Sequence, residues 1–199
     1  MEQNWALINL DKRQALRGRL GKLREVLLER LGSWAGDRLM FISEYNREGY
    51  YPEGVLTAEE TEEFDEEGLY YVAKKWEKVP QWPSSLPDDA EVFAHDKVWV
   101  VRNLSKRVYV RSDAFGTAAE HMRGPEAMKG RSLADVILSG IHWSTHGDRG
   151  GFGWGKWVGD RFDICVGDVV KSEEGWEDVS QAIAKVRAMW YRCDVPDDD

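Results

Sequence analysis

The stretch NWALINLDKR, residues 4–13, returns later in the chain as VWVVRNLSKR, residues 98–107. A second pair follows in the same order, since SWAGDRLMFISEY at 33–45 returns as KWVGDRFDICVGD at 156–168. Two motifs therefore occur twice, Asn-Leu-x-Lys-Arg (the NLxKR motif) and Trp-x-Gly-Asp-Arg (the WxGDR motif). A repeat of this kind decides the fold, because each copy is expected to build the same structural unit.

Two further blocks keep the same order along the chain. LREVLLERL at 23–31 aligns with LADVILSGI at 133–141, and GLYYVAKKWEKV at 68–79 aligns more weakly with GWEDVSQAIAKV at 175–186. Four blocks in one order indicate the duplication of a half-chain unit. Residues kept in both copies are expected to maintain the fold, whereas residues found in one copy only are better candidates for a binding or catalytic function.

The pattern of each copy predicts two strands joined by a turn, then a helix, a strand and a closing helix. In the second copy, Val98–Val101 and Val108–Val110 are β-branched runs on either side of a turn. Leucines at helical spacing predict the first helix, and Leu39–Ser43 and Phe162–Val166 are the later strands. The expected fold class is α+β, an internal duplication of a ββαβ(α) unit. Its two antiparallel-sheet halves are related by a pseudo-two-fold axis.

The chain is expected to divide into repeat 1 (1–79), a linker (80–97), repeat 2 (98–191) and an acidic tail (192–199). Repeat 1 carries an acidic insertion, 46–67, in which Thr57 and Glu60 predict a capping box ahead of a helix. Repeat 2 carries a glycine-rich insertion, 142–156. A unit of this length buries a limited apolar area, so the two halves are expected to share a core.

Composition narrows the classes of function. The chain has 199 residues and a formal net charge of −9, which argues against nucleic acid or an anionic membrane as partner. It shows no signal-peptide pattern and no apolar run long enough to cross a membrane, and its two cysteines, Cys165 and Cys193, are too few for a disulfide framework. A cytoplasmic location, with no cofactor, is the expectation.

The WxGDR motif offers both a structural and a functional interpretation. As a structural motif it comprises Trp34, Gly36, Asp37 and Arg38, with Trp157 and Gly159 in the second copy. The glycine permits a positive φ, and the aspartate can bind neighbouring N–H groups. The functional interpretation makes Asp160 a general base and Arg161 an anion clamp. Because both copies keep the motif, the structural interpretation is favoured.

The glycine-rich insertion of the second copy is the most suggestive stretch for ligand binding. It holds His142, His146, Asp148, Arg149 and Lys156 among its glycines. Glycine-rich loops can present backbone N–H groups to an anion beside basic side chains. The stretch lacks a phosphate-loop signature, and histidines four apart suit a metal only on a helix, so no metal site is predicted. The alternative is a connection without binding function, whose aromatic residues pack onto the fold.

The two motifs resemble a family of uncharacterised microbial and fungal proteins built on an NLDK strand-turn and a WAGDR strand. The matching stretches are Asn9–Lys12 and Trp34–Arg38, and their counterparts in the second copy. The resemblance implies no activity and no site residues. The leading hypothesis is a soluble intracellular binding or interaction protein without catalysis, whose partner is an unknown protein or small molecule. The competing hypothesis is an enzyme or small-ligand protein with its site at 142–156.

Overall fold

A computed structural model describes residues 4–18, 20–44, 51–79, 97–114, 133–143, 155–167 and 175–183. The first half contains β1 (Trp5–Asn9), β2 (Gln14–Gly18), α1 (Leu20–Ser33), β3 (Leu39–Ser43), α2 (Ala58–Glu67), α3 (Leu69–Ala73) and β4 (Glu77–Lys78). The second contains β5 (Trp99–Asn103), β6 (Val108–Arg111), a 3-10 turn (Ser112–Ala114), α4 (Leu133–Gly140), β7 (Phe162–Val166) and β8 (Glu177–Asp178).

The two halves build the same sheet twice. The strand order is β3-β1-β2-β4 in sheet 1 and β7-β5-β6-β8 in sheet 2. The register also agrees, because Asn9 lies opposite Gln14 and Leu39, as Asn103 lies opposite Val108 and Phe162. The predicted α+β fold with an internal duplication is therefore confirmed.

The fourth strand of each sheet differs from the expected arrangement. β4 pairs with β2, and β8 with β6, in the parallel direction, so each sheet is mixed rather than wholly antiparallel. The alignment of 68–79 with 175–186 is wrong, because the equivalent residues are Trp-Glu-Lys-Val at 76–79 and Trp-Glu-Asp-Val at 176–179. The backbone N–H groups of Val79 and Val179 donate to equivalent residues of β2 and β6. In the first half, the short helix α3 precedes the strand β4. In the second half, a short helical turn at 180–183 follows the strand β8.

A single apolar core joins the two halves. Leu7 and Leu16 of sheet 1 pack in the same cluster as Val101 and Val110 of sheet 2. Of the leucines of α1 that were predicted from helical spacing, Leu23, Leu27 and Leu31 lie fully buried in it and Leu28 is partly buried. The helix contacts both α4 and β7 of the other half. The expected sharing of a core by the two halves is what the structure has.

A second apolar cluster lies on the outer face of sheet 1. There α2 and α3 of the acidic insertion and the segment after it cover the sheet with Phe64, Leu69 and Val72. The predicted capping box is present, since Thr57 Oγ1 accepts from the N–H of Glu60 and Glu60 accepts from the N–H of Thr57. The insertion is thus a packed cover as well as an acidic surface.

Other expectations fall on parts of the chain that are not described. The linker, apart from Lys97, and the tail 192–199 lie outside the described residues, as do residues 46–50 of the acidic insertion. Of the helices in the described ranges, none has the length and hydropathy needed to cross a membrane.

Candidate functional site

The NLxKR turn of the first half is linked by Asn9 to the WxGDR motif. The Asn9 Oδ1 atom accepts from the backbone N–H of Lys12 at 2.9 Å, and Nδ2 donates to Asp37 at 2.8 Å. The ammonium of Lys12 binds the same oxygen of Asp37 at 2.7 Å. Arg13, with a φ of 51°, closes the turn in the left-handed conformation. One asparagine therefore fixes both the turn and the aspartate.

The second half repeats this network with a more deeply buried carboxylate. Asn103 accepts from the N–H of Lys106 at 3.0 Å and donates to Asp160 at 2.7 Å, and Lys106 pairs with that carboxylate. Arg107 has a φ of 55°. Asn103 is 2% exposed and Asp160 8% exposed. Asp160, the candidate general base, thus has the same two partners as Asp37, and nothing in its contacts sets it apart from the equivalent scaffold residue.

The glycine of each WxGDR motif binds the other half of the chain. Gly36, with a φ of 78°, donates its N–H to the carbonyl of Phe162 at 2.8 Å. Gly159, with a φ of 73°, donates to the carbonyl of Leu39 at 2.9 Å. Trp34 and Trp157 both pack in the shared core. The reciprocal bonds place the pseudo-two-fold axis between the two motifs.

An ion cluster lies on this axis, where Arg38 and Arg161 form an antiparallel bridge. Asp11 accepts from Arg38 Nε at 2.8 Å and from Arg161 Nη1 at 2.6 Å. Burial raises the pKa of Asp11, but the hydrogen bonds from the backbone and side chain of Arg38 and from Arg161 outweigh it, so the pKa is lowered overall. The second copy has Ser105 in this place, and its hydroxyl accepts from the N–H of Arg161. Arg161, the candidate anion clamp, therefore holds the two halves together.

His142 lies beside sheet 1 rather than in a loop. Phe41 donates its N–H to the carbonyl of Ile141 and accepts from the N–H of Trp143, both at 2.9 Å. The imidazole ring lies 5.2 Å from the ring of Trp5 and 5.7 Å from that of Phe41, centroid to centroid. Burial lowers the pKa of His142 to about 4. The ring is therefore neutral at pH 7.

The structure shows no binding site formed by the described residues among the remaining candidates of the glycine-rich insertion. His146, Asp148 and Arg149 lie outside the described residues, and Lys156 is exposed in the turn before Trp157. Among the residues that the structure describes, no group of three or more histidine, cysteine, aspartate or glutamate side chains could hold a metal ion.

The depressed pKa of His142 predicts a pH-dependent stability. The unfolded chain takes up the proton near the ordinary pKa of 6.5 and the folded chain near 4. Protonation therefore favours unfolding, so the contribution is complete above pH 6.5 and lost as the pH falls toward 4. We expect a decrease of about 3 kcal/mol in the free energy of unfolding across this window. Urea denaturation of the wild type and of His142→Phe measures it, and identical slopes against pH would contradict it.

The outer face of sheet 1 is an apolar surface beneath α2 and α3. It consists of Ala6, Ile8, Ala15, Met40 and Ile42, all of them buried. Ile8 lies directly opposite Met40 on the neighbouring strand. This face is a second core, which α2 and α3 of the first half cover together with Trp143 and Val158 of the second.

The equivalent face of sheet 2 carries polar residues among apolar ones. The common register matches these five residues with Val100, Arg102, Tyr109, Asp163 and Cys165. Arg102 binds Asp163 through Nε at 2.8 Å and Nη2 at 2.6 Å, and its guanidinium lies 5.2 Å from the centroid of the Trp176 ring. Where sheet 1 has the apolar pair Ile8 and Met40, sheet 2 thus has a largely buried ion pair beside the Trp176 ring.

Three arginines of the first half bind α2 and α3. Two of them form bidentate pairs with carboxylates of α2, and the third donates to the last residue of α3. The contacts are Arg13 with Glu63 at 2.7 and 2.7 Å, Arg38 with Glu60 at 3.0 and 2.7 Å, and Arg17 Nη2 with the carbonyl of Ala73 at 2.8 Å. We call these three residues the arginine clamp of the first half.

The second half keeps all three arginines at equivalent positions, Arg107, Arg161 and Arg111. Arg111 forms its ion pair with Asp113, and Arg161 with Asp11. Sequence analysis missed Arg17 and Arg111 because they lie outside the two motifs. The signal was present, since Lys-Arg is followed four residues later by arginine in both copies.

The chain was compared with protein-family models, with curated proteins and with solved structures, and none of them matches it. The resemblance to the NLDK and WAGDR proteins therefore stays a prediction from the motifs alone.

Proposed function

We propose that this protein is a non-catalytic binding protein whose partner docks on the outer side of sheet 2. One observation supports the proposal: the outer face of sheet 1 is an apolar core, whereas the equivalent face of sheet 2 adds an arginine, an aspartate and a tyrosine to the buried Val100. Polar and aromatic side chains in the place of core residues can serve recognition. The arginine, tyrosine and tryptophan side chains of this face are those that dominate the energetics of protein interfaces.

The chemistry of the repeated motifs supports a role without catalysis. Asp37 and Asp160 hold matching asparagine and lysine partners, as groups that maintain the fold would. His142 packs neutral between aromatic rings. A catalytic group is expected to differ between the copies in its partners, its burial or both. The copies differ most on the outer faces of the sheets instead.

The proposal is tested by affinity capture from cell extract of the source organism with three immobilised forms of the protein. Tyr109→Ala gives sheet 2 the residue that sheet 1 has at Ala15, and Tyr71→Ala is the matched control, because Tyr71 is 39% exposed on the first half. We expect proteins that bind the wild type and Tyr71→Ala and are lost by Tyr109→Ala. A capture unaffected by Tyr109→Ala would contradict the proposal. A co-purifying small molecule or metal would support the competing site at 142–156.

A further inference from the structure

We propose that Tyr70 and Tyr71 of α3 form a cation site, which binds a quaternary ammonium solute in place of the ammonium of Lys74. The inference goes beyond the proposed function, because the site lies on the first half of the chain and takes a small molecule. One group defines the class of ligand, a positively charged nitrogen that carries carbon substituents in place of N–H bonds.

Two tyrosine rings enclose the position of the cation. Their centroids lie 5.7 Å apart and their planes meet at 90°, so the rings form the two walls of a corner. The Lys74 Nζ atom lies 5.1 Å from the centroid of Tyr70 and 4.8 Å from that of Tyr71. Both distances are within the range of about 6 Å for a cation–π interaction. One ammonium therefore contacts the π-systems of two rings at once.

The end of α3 brings these groups together. Lys74 caps the helix and follows Tyr71 by three residues and Tyr70 by four, the spacings at which side chains share one face of a helix. Tyr70 is 4% exposed and packs in the second apolar cluster. Tyr71 is 39% exposed. The corner is therefore held by the core on one side and open to solvent on the other.

A carboxylate adds negative charge beside the rings. Glu44 accepts from the backbone N–H and from Nδ2 of Asn4, at 3.1 and 2.9 Å. These hydrogen bonds, and to a smaller extent the charge of Lys74, lower the pKa of Glu44, so the group is ionised at pH 7. Its charge adds to the rise that burial causes in the pKa of Tyr70. The corner and the carboxylate together favour a cation over a neutral solute.

The contact with Lys74 is one that a ligand can replace. Lys74 is exposed, and a lysine ammonium is so strongly hydrated that its cation–π contacts at exposed sites are weak. A quaternary ammonium has no N–H groups to hydrate, so it gives up less hydration when it contacts the rings. Recognition of such groups by aromatic side chains is a known use of the cation–π interaction.

The surrounding charges favour a small ligand over a segment of a protein. Lys74 stays beside the corner after it is displaced, since it belongs to the same helix end. Arg17 adds a second positive charge, which opposes the rise in the pKa of Tyr70. Both charges would repel a basic segment that carries a methylated lysine. A solute with a single positive charge meets the least repulsion.

Choline is the probe for the test, and the control ligand is its neutral analogue, in which carbon replaces the charged nitrogen. NMR titration of the full-length protein follows the amide signals of Tyr71 and Lys74. We expect choline to shift these signals to saturation, whereas the neutral analogue leaves them unchanged at the same concentration. Equal shifts with the two ligands would overturn the cation site.

Protein variants assign choline binding to the corner of rings. Lys74→Ala removes the competing ammonium and is expected to tighten binding about fivefold, and Tyr71→Leu removes one ring and is expected to weaken it about fivefold. Lys75→Ala is the matched control, because it removes an exposed positive charge that pairs with Glu67 instead of the rings. At physiological salt concentration it is expected to leave the affinity unchanged. An equal gain in Lys74→Ala and Lys75→Ala would show that charge alone attracts choline and would contradict the site.

A trimethyl-lysine with blocked termini decides whether the ligand is a solute. Choline that binds at least as tightly as this derivative supports a solute, whereas tighter binding of the derivative assigns the group to a protein and overturns that choice. Capture of proteins by sheet 2 is a separate readout, so either proposal can fail alone. Because the occupant is a solute, Tyr71→Ala is still expected to capture the proteins that bind sheet 2.

Discussion

Gly159→Ala is expected to lower the free energy of unfolding by about 3 kcal/mol. Two effects add. A φ of 73° disfavours any residue with a Cβ by about 1–2 kcal/mol. The new Cβ would also lie 2.5 Å from Cγ1 and 3.2 Å from Cβ of Val55, a short β-branched side chain that cannot swing aside, and such overpacking costs about 1–3 kcal/mol. Urea denaturation measures the change.

The chain provides a matched control for this prediction. Gly36 is the equivalent residue of the first copy and has a φ of 78°, but a Cβ there would meet nothing within 4 Å. Gly36→Ala is therefore expected to show the backbone effect alone, about 1 kcal/mol. Adding Val55→Ala to Gly159→Ala should recover part of the loss. Equal effects of the two glycine substitutions would show that Val55 plays no part.

Asp160→Ala is also expected to lower the free energy of unfolding by about 3 kcal/mol, because it removes the acceptor of two donors at once. Asn103 is 2% exposed and cannot reach water, so its amide would be left without its bond to the carboxylate. Lys106 is partly exposed and can be hydrated, which limits the loss. Asp37→Ala should have a smaller effect, since that carboxylate is the more exposed of the two.

A double-mutant cycle checks the physical cause of this loss. If the bond between Asn103 and Asp160 accounts for most of it, Asn103→Ala combined with Asp160→Ala will destabilise the protein by at least about 1 kcal/mol less than the sum of the single changes. Asp113→Ala, which removes an exposed carboxylate from its pair with Arg111, serves as the control and should change stability by less than about 0.5 kcal/mol. Additive effects of Asn103→Ala and Asp160→Ala would contradict the network.

The sequence predicts β3 and β7 well because each of them follows a motif that occurs in both copies. β3 and β7 have the predicted bounds, Leu39–Ser43 and Phe162–Val166. Both are five-residue runs rich in apolar residues that follow a glycine turn, which is a strong local signal. The edge strands β4 and β8 carry no such signal, since two exposed residues paired with a distant strand show no periodicity of their own.

The outer faces could not be predicted from either copy alone. Ile8 and Arg102 occupy equivalent places, but their equivalence follows from the ladder register, and a strand shows its two faces only by alternation. His142 was expected in a loop because the glycines after it suggested one. Its backbone neighbours bind Phe41 instead, a contact between halves that no local pattern indicates.

The crossed bonds of Gly36 and Gly159 have a consequence for how the two copies could change over time. Each half depends on a main-chain carbonyl of the other, so a disruptive substitution beside the axis damages both halves together. The outer faces of the two sheets take no part in these two bonds. Changes that break these bonds are therefore expected to be rarer than changes on the outer faces, where one copy can acquire new surface chemistry without disturbing the framework of the other.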